Sequence, residues 1–287
     1  MKIFVAKDAG YCFGVRDAVS LAHTTAEEYG NVYMLGDIVH NENVVEKLKK
    51  VGTKVVQNLE EIPADKPVLL RAHGTATDVW QKAKEKNMKI IDATCPLVQE
   101  IHDEVSKLEK EGRQIIIIGD HGHDEVIGIA SQVVDPIVLE NPEEAKEIKK
   151  MKKAGVVSQS TQNIENVQEI INILMTKIFD LRFVNTICFP TKRNQSQIKE
   201  LADLCDLVLI IGSFTSANSK RLSQLSTLRN SNSHQITGVK DICPDWFLNA
   251  ESVGISAGAS TPDNLIEEVV EFVKYFDEEK EKEMVYG

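Results

Sequence analysis

One pattern occurs three times in this chain, as VYMLGDIVHNENV (32–44), QIIIIGDHGHDEV (114–126) and LVLIIGSFTSANS (207–219). In each copy an apolar run leads to a glycine and then to a short polar loop. Apolar runs of this length are typical of central strands in parallel sheets, which are buried on both faces. A pattern that recurs at a long interval predicts repeated structural modules.

Two further patterns recur in the same order along the chain. Each copy of the first pattern is followed by a second pattern, in which a strand leads into a polar loop and then the start of a helix. This second pattern occurs at PVLLRAHGTATD (67–78), AGVVSQSTQNIEN (154–166) and SVGISAGASTPDN (252–264). A strand that runs into a cysteine occurs before Cys12, Cys95 and Cys188. Amphipathic stretches separate the strands, which indicates βαβ units and parallel sheets. We therefore predict an α/β fold of three pseudo-threefold-related modules, at residues 1–95, 96–188 and 189–287.

The composition excludes several classes of protein. With 33 Lys+Arg against 44 Asp+Glu, the net charge of −11 has the wrong sign for a protein that mainly binds nucleic acid. The longest apolar runs, 115–118 and 207–211, are far shorter than the roughly 20 residues that cross a bilayer. The first residues lack the form of a signal peptide, so we expect a cytoplasmic protein without a membrane span. The charged run at 277–283 is expected to be a solvated helix end.

The five cysteines do not suggest a disulfide framework, since their number is odd and the chain is long. Ligands bind at the carboxyl ends of strands in α/β sheets, so three modules that close around an axis would bring Cys12, Cys95 and Cys188 together. Three thiolates can hold zinc with a fourth ligand, or three irons of an iron–sulfur cluster whose fourth iron stays open. Cys205 and Cys243 have no repeat partner and are predicted to be core residues.

Polar side chains occupy the loops that follow these strands. They are three histidines, joined in the third module by two serines and an asparagine: His40, His73, His123, Ser216, Asn218 and Ser260. Such donors, together with backbone N–H groups at helix starts, suit a phosphate or diphosphate. The loops therefore predict an anion-binding pocket near the cysteines. His102 and His121 are weaker candidates for it.

Acid–base chemistry is predicted for the loop at 120–125. Glu125 follows His123 closely, and a carboxylate shielded from water can have a raised pKa and donate a proton. The same position equally suits a glutamate that stabilises a helix N-terminus. Gln159, Ser160 and Thr161 offer an amide and hydroxyls that could carry or orient a proton.

These motifs resemble those of the 4-hydroxy-3-methylbut-2-enyl diphosphate reductases, the last enzymes of the methylerythritol phosphate route to isoprenoids. The resemblance extends from AGYCFGVRDAV (9–19) to SAGASTPD (256–263) through GDIVHN, RAHGT, DATCPLV, GDHGHDEV and TIC. It implies a trefoil of α/β modules around a central [4Fe–4S] cluster held by Cys12, Cys95 and Cys188. It also implies a diphosphate site formed by the loop residues named above, with Glu125 as the proton donor. Ser160 stands where the family usually has a threonine, and Ala217 lacks a hydroxyl present in the family.

The resemblance implies a two-electron reductive dehydroxylation. The substrate hydroxyl would bind the open iron, and loss of water would give isopentenyl and dimethylallyl diphosphate. A G-x-G-x-x-G fingerprint for a nucleotide is not evident, so we expect an external electron donor such as a ferredoxin or flavodoxin. A basic group at Lys192, Arg193 and Lys199 is either a docking patch for it or a solvated helix face.

Two other classes of protein remain open on the residues alone. Quinolinate synthase is the nearest three-cysteine, three-module enzyme in architecture, but its substrates are carboxylates without a diphosphate, so the loop histidines favour the reductase. A zinc or iron–sulfur sensor would use the cysteines structurally. Metal analysis tests the cluster against zinc, because a cubane cluster contributes about four irons and four sulfides per chain and a zinc site contributes neither.

Overall fold

The computed structural model describes residues 1–286, with side chains described as far as residue 276. The side chains of the charged run at 277–283 therefore lie outside the described residues. The strands are β1 (Lys2–Val5), β2 (Val32–Leu35), β3 (Thr53–Val56), β4 (Val68–Leu70), β5 (Ile90–Asp92), β6 (Gln114–Ile118), β7 (Ile137–Leu139), β8 (Met151–Ser158), β9 (Ile178–Phe183), β10 (Leu207–Ile211), β11 (Ser233–Ile236) and β12 (Ser252–Ala257). The α-helices are α1 (Phe13–Tyr29), α2 (Glu42–Lys50), α3 (Thr77–Glu85), α4 (Pro96–Lys110), α5 (Asp124–Ala130), α6 (Pro142–Glu147), α7 (Ile164–Leu174), α8 (Phe189–Leu204), α9 (Ala217–Thr227) and α10 (Asp263–Tyr286). Three short 3-10 helices complete the elements of the described chain, at Leu59–Glu61, Val239–Asp241 and Pro244–Phe247.

The described strands form three sheets of four strands, in the orders β3-β2-β4-β5, β7-β6-β8-β9 and β1-β12-β10-β11. Every strand pair is parallel. The three orders are the same topology if β1 is counted as the fourth strand of the last sheet. The predicted α/β class with three repeated modules is thereby confirmed.

The position of β1 differs from the predicted module boundaries. The predicted first module, 1–95, includes this strand, but β1 pairs with β12, from Lys2 with Ser252 to Val5 with Ile255. It occupies the edge that β5 and β9 occupy in their own sheets. The repeat is therefore cyclic: the strand that leads to a cysteine is the last of its module, and the start of the chain supplies it to the third sheet.

The chain divides into two compact units. The smaller contains Met1–Cys12, His40–Glu42 and the chain from Phe189 onward, and it holds the sheet with β10 at its centre. The larger contains Phe13–Val39 and Asn43–Cys188, and it holds the other two sheets.

The central strands are buried on both faces, as their unbroken apolar runs predict. In β6, Ile115 and Ile117 pack with α4 and α5, whereas Ile116 and Ile118 pack with α6 and α7. Each of these isoleucines is at most 1% exposed, and burying such a side chain contributes about 1.5–3 kcal/mol. The side chains of β10 alternate likewise between α10 on one face and α8 and α9 on the other. Layers of this kind hold the loops at the carboxyl ends of the strands on a rigid base.

Among the helices of residues 1–286, none combines the length and the apolar character needed to span a membrane.

Candidate functional site

The three repeated cysteines occupy equivalent places in their modules. Cys12, Cys95 and Cys188 follow the edge strands β1, β5 and β9, and each stands directly before a helix, α1, α4 or α8. All three are partly exposed. The positive end of a helix dipole favours a thiolate over a thiol, so these places suit sulfur ligands.

The same backbone hydrogen bond fixes each cysteine. The N–H of Cys95 donates to the carbonyl of Ala72 at 3.0 Å, and the N–H of Cys188 donates to that of Ser160 at 3.0 Å. In the smaller unit the N–H of Cys12 donates to the carbonyl of Ala259 at 3.3 Å. Each acceptor lies in the loop directly after the neighbouring strand, β4, β8 or β12. The three cysteines are thus structurally equivalent within their modules.

A glycine leaves room beside one of these sulfurs. A Cβ atom added to Gly14, in α1, would overlap the Sγ of Cys95 and lie 3.2 Å from its Cβ. The glycine in the sequence CFG therefore keeps space open at the sulfur. In neither unit do three of the described His, Cys, Asp or Glu side chains form a group that could hold a single metal ion.

The two remaining cysteines differ from each other. Cys205 is 6% exposed and packs in the core between β10 and α8, as predicted. Burial raises the pKa of its thiol to about 11. Cys243 is partly exposed at the start of a 3-10 helix, so its prediction as a core residue is wrong. A short helix that follows a loop leaves this side chain at the surface.

Two of the predicted anion-binding histidines meet in the larger unit. The rings of His73 and His123 lie edge to face with centroids 5.7 Å apart. His123 caps α5, and its Nδ1 accepts a hydrogen bond from the N–H of Glu125 at 3.1 Å. In a neutral imidazole this assigns the proton to Nε2, which is then a donor.

The predicted acid is buried and paired with the predicted proton relay. Glu125 is 1% exposed. Its Oε1 accepts from the N–H of Ser160 at 2.6 Å, and its Oε2 accepts from the Ser160 hydroxyl at 2.8 Å. The adjacent Gln159 joins the two loops, because its side-chain oxygen accepts from the N–H of Asp120 at 2.9 Å. The geometry therefore couples Glu125 to a hydroxyl inside a site with little access to water.

The other predicted anion-binding residues lie in the smaller unit. The hydroxyl of Ser260 donates to the carbonyl of His40 at 3.2 Å. Ser216 caps α9, where its oxygen accepts from the N–H of Ser219 at 3.3 Å. Asn218 is 5% exposed, and its buried Nδ2 has no hydrogen-bond partner among the described residues. A buried donor without an acceptor is costly and uncommon in proteins, so it indicates a place for an acceptor from a ligand.

A glutamate not predicted from the sequence holds the loop before α9. The hydroxyl of Ser213 donates to Glu42 Oε1 at 2.7 Å, and that of Thr215 donates to the same oxygen at 3.3 Å. The Ser213 hydroxyl also accepts from the N–H of Thr215 at 3.0 Å. The hydroxyls of Ser213 and Thr215 thus help to shape this loop.

An ion pair not predicted from the sequence joins two modules of the larger unit. Arg71 follows β4, and its Nη1 donates to Oδ2 of Asp124 at 2.5 Å. Both side chains are 24% exposed. The only signal in the sequence is that each charged residue stands beside a predicted site residue, Arg71 near His73 and Asp124 between His123 and Glu125.

The two weaker histidine candidates have other roles. His121 is exposed, and its Nε2 lies 3.0 Å from the carboxylate of Glu144. His102 packs under the loop that contains His73, since a Cβ on Gly74 would lie 2.9 Å from its ring. Burial lowers the pKa of His102. The ring is thus a neutral packing element under this loop.

Comparison with known proteins identifies the family. The family model described as LytB protein matches residues 3–274. The 4-hydroxy-3-methylbut-2-enyl diphosphate reductase of Geobacter metallireducens is 38% identical over 281 residues, which cover 98% of this chain and 99% of that protein. The reductase of the same name from Nitratiruptor is 38% identical over 275 residues, covering 96% and 98% of the two chains.

Solved structures agree with the sequence relatives. The E-1-hydroxy-2-methyl-but-2-enyl-4-diphosphate reductase from Plasmodium falciparum superposes with a TM-score of 0.91 at 28% identity, over 94% of this chain and 87% of that one. An (E)-4-hydroxy-3-methyl-but-2-enyl diphosphate reductase, the terminal enzyme of the non-mevalonate pathway, superposes with a TM-score of 0.69 at 36% identity, over 96% and 100% of the chains. Because the family model and these relatives match nearly its whole length, the chain belongs to the LytB family of 4-hydroxy-3-methylbut-2-enyl diphosphate reductases.

Proposed function

We propose that this protein reduces 4-hydroxy-3-methylbut-2-enyl diphosphate to isopentenyl and dimethylallyl diphosphate, the last step of the methylerythritol phosphate pathway. Family membership supports the substrate class. The observation that carries the proposal is the buried pair of Glu125 and Ser160 beside His123. A carboxyl group at this position can deliver a proton where water is largely excluded.

The proposed reaction consumes two electrons and two protons. The bond between C4 and its hydroxyl oxygen breaks, and the oxygen leaves as water with one added proton. The other proton adds to carbon at either end of the resulting allyl unit, which accounts for two products. Delivery of a proton from one fixed side chain to a bound allyl unit requires that the substrate be held firmly.

We propose a [4Fe–4S] cluster as the cofactor, with Cys12, Cys95 and Cys188 as its ligands. These residues suit the group, because each stands at the start of a helix and Gly14 leaves room beside the Cys95 sulfur. When bound, the cluster supplies single electrons and a Lewis-acid site for the substrate hydroxyl. Each cysteine of a cubane binds a different iron, so the ligands need not meet at one ion.

The diphosphate is proposed to be bound by the loop donors. Asn218 contributes the Nδ2 donor that has no acceptor among the described residues. His123 contributes Nε2, because its Nδ1 already accepts from a backbone amide. His40, His73, Ser216 and Ser260 are proposed to supply the remaining contacts. Several such donors are needed, since a chain with a net charge of −11 repels an anion overall.

The proton path is proposed to run through Ser160 to Glu125. The serine hydroxyl donates to Oε2 of the carboxylate, so a proton that arrives at the hydroxyl can pass to that oxygen. Ser160 N–H holds the other oxygen and fixes the direction of the carboxyl group. Glu125 then acts as the acid toward the substrate.

We further propose that the electrons come from an external carrier, such as a ferredoxin or flavodoxin, in the cytoplasm. In the smaller unit Arg193 is 58% exposed and its Nη1 lies 3.7 Å from Oδ1 of Asp8, and its guanidinium lies 5.4 Å from the centre of the Phe189 ring. Lys192 and Lys199 belong to the same helix, α8. An exposed cation beside an exposed aromatic ring suits an acidic partner.

The decisive experiment is anaerobic turnover with dithionite, a viologen mediator and 4-hydroxy-3-methylbut-2-enyl diphosphate. We expect both isopentenyl and dimethylallyl diphosphate from the cluster-loaded protein. The variant Glu125→Gln should keep its iron and sulfide but lose at least about 100-fold in turnover, since a general acid contributes that much or more. Stoichiometric zinc with neither iron nor sulfide would refute the cofactor, and full activity of Glu125→Gln would refute its role.

A further inference from the structure

The Arg71–Asp124 ion pair connects two loops that both carry proposed diphosphate ligands. Arg71 begins the loop that contains His73, and Asp124 stands between His123 and Glu125. The Nη1–Oδ2 distance is 2.5 Å. Arg71 follows β4 of one sheet, and Asp124 begins α5, the helix after β6 of the other sheet in the larger unit, so the pair crosses from one module to the next.

The local charge explains why a cation is needed at this place. The segment 120–125 carries three acidic side chains, those of Asp120, Asp124 and Glu125. Because the Asp124 side chain is only 24% exposed, water screens its charge weakly. An anionic diphosphate bound by His123 would therefore be repelled by Asp124 if that carboxylate stood without a counter-charge.

The backbone is adapted to the guanidinium. Gly36 has a positive φ of 75°, and a Cβ at this position would lie 2.7 Å from Nη1 of Arg71. The Nε atom of Arg71 is enclosed and finds no acceptor within the described residues. The guanidinium is thus fitted into its place, with the Asp124 carboxylate as its acceptor.

We propose that Arg71 is a positioning residue that makes diphosphate binding possible, because it cancels the charge of Asp124 beside His123. This inference rests on the proposed function and adds a residue to it. A charge-cancelling role and a purely structural role predict different effects on diphosphate binding when Asp124 is replaced. If the pair were only a brace between modules, losing either partner would weaken binding.

The test measures the binding of inorganic diphosphate to the cluster-loaded protein by anaerobic calorimetry. We expect Arg71→Gln to weaken binding by about tenfold or more, because it leaves a poorly screened carboxylate near the anion. Asp124→Asn should bind as tightly as the parent protein or more tightly. The double variant Arg71→Gln/Asp124→Asn should return to within about threefold of the parent, because both charges are gone.

Two further variants make the result specific. Arg71→Lys keeps the charge and should bind nearly as well as the parent, even if Arg71→Gln fails to fold. Arg229→Gln removes the exposed partner of Asp203 in the smaller unit, a pair of 3.0 Å, and should leave binding unchanged. Equal affinity of Arg71→Gln and the parent would overturn the proposal. Equal losses in both single variants without recovery in the double variant would overturn it too.

Failure of the proposed function looks different in this experiment. A parent protein that does not bind diphosphate at all would refute the diphosphate site itself. A parent that binds, with variants that do not differ, would refute only the role of Arg71.

Discussion

Ser160 binds both carboxylate oxygens of Glu125, through its N–H at 2.6 Å and its hydroxyl at 2.8 Å. The carbonyl of the same serine accepts the N–H of Cys188 at 3.0 Å. One residue therefore fixes both the proposed acid and a proposed cluster ligand. The contact with Cys188 is made by the backbone of Ser160, so a substitution at this position removes only the hydrogen bond of the hydroxyl to Glu125.

Replacing Ser160 by alanine should therefore lower turnover while cluster content stays unchanged. The buried carboxylate would lose one of its donors, at a cost of about 1–3 kcal/mol in stability. Ser160→Thr keeps the hydroxyl and is the matched control, with turnover near that of the parent. Anaerobic thermal unfolding and the viologen assay measure both effects. If Ser160→Ala matched Ser160→Thr in both, the hydroxyl would have no part in proton transfer.

Replacing Gly14 by alanine should reduce the iron and sulfide bound per chain. The added Cβ would overlap the Cys95 sulfur, and overpacking of this kind typically costs about 1–3 kcal/mol. Gly238→Ala is the control, because nothing lies within 4 Å of a Cβ at that position and its φ of 170° is extended backbone. Chemical iron and sulfide analysis of both variants decides the matter, and normal content in Gly14→Ala would contradict the expected steric role.

The pH dependence of stability should contain a contribution from His102. Burial lowers the pKa of this imidazole below its ordinary value of 6.5. The unfolded chain therefore binds the proton more readily, and stability should fall as the pH drops below about 6.5, until the lowered folded pKa is passed. Each unit of lowering removes about 1.4 kcal/mol over that window.

His102→Gln should reduce the loss of stability between pH 6.5 and the lowered pKa of the folded state. Its effect on stability above neutral pH should be smaller. The measurement is thermal unfolding of the loaded protein from pH 7.5 to 5, with His234→Gln as the comparison, since burial also lowers the pKa of His234. Parallel profiles of the parent and His102→Gln would show that the ring near Gly74 is not a source of acid sensitivity.

The repeat in the sequence predicted the three sheets because strand periodicity and loop chemistry are local properties. It also predicted the equivalence of Cys12, Cys95 and Cys188. In the structure, each of these cysteines makes the equivalent backbone hydrogen bond in its own module. The place of β1 was not predictable from chain order, because pairing with β12 closes a cycle between the two ends of the sequence. Edge pairing of this kind depends on the whole fold.

Contacts between distant loops could not be predicted from the sequence, because they too depend on the whole fold. Glu125 and Ser160 could each be proposed separately, but their hydrogen bonds arise only when β6 and β8 lie side by side. Arg71 and Asp124 gave even less signal, since single charges after strands usually face solvent. Their pairing requires two modules to pack, a long-range event that local patterns do not encode.

Replacing Asn218 by leucine should have opposite effects on stability and on binding. The Nδ2 donor of this 5% exposed side chain lacks a partner among the described residues, so its removal should leave the ligand-free protein equally stable or more stable. Diphosphate binding should weaken by about tenfold, the value of one lost hydrogen bond to a charged group. Asn218→Asp is the matched variant, since it keeps the shape and adds repulsion, and it should bind more weakly still. Thermal unfolding with and without diphosphate measures both quantities. Loss of stability in Asn218→Leu with unchanged diphosphate binding would show that the amide stabilises the start of α9 and does not bind the ligand.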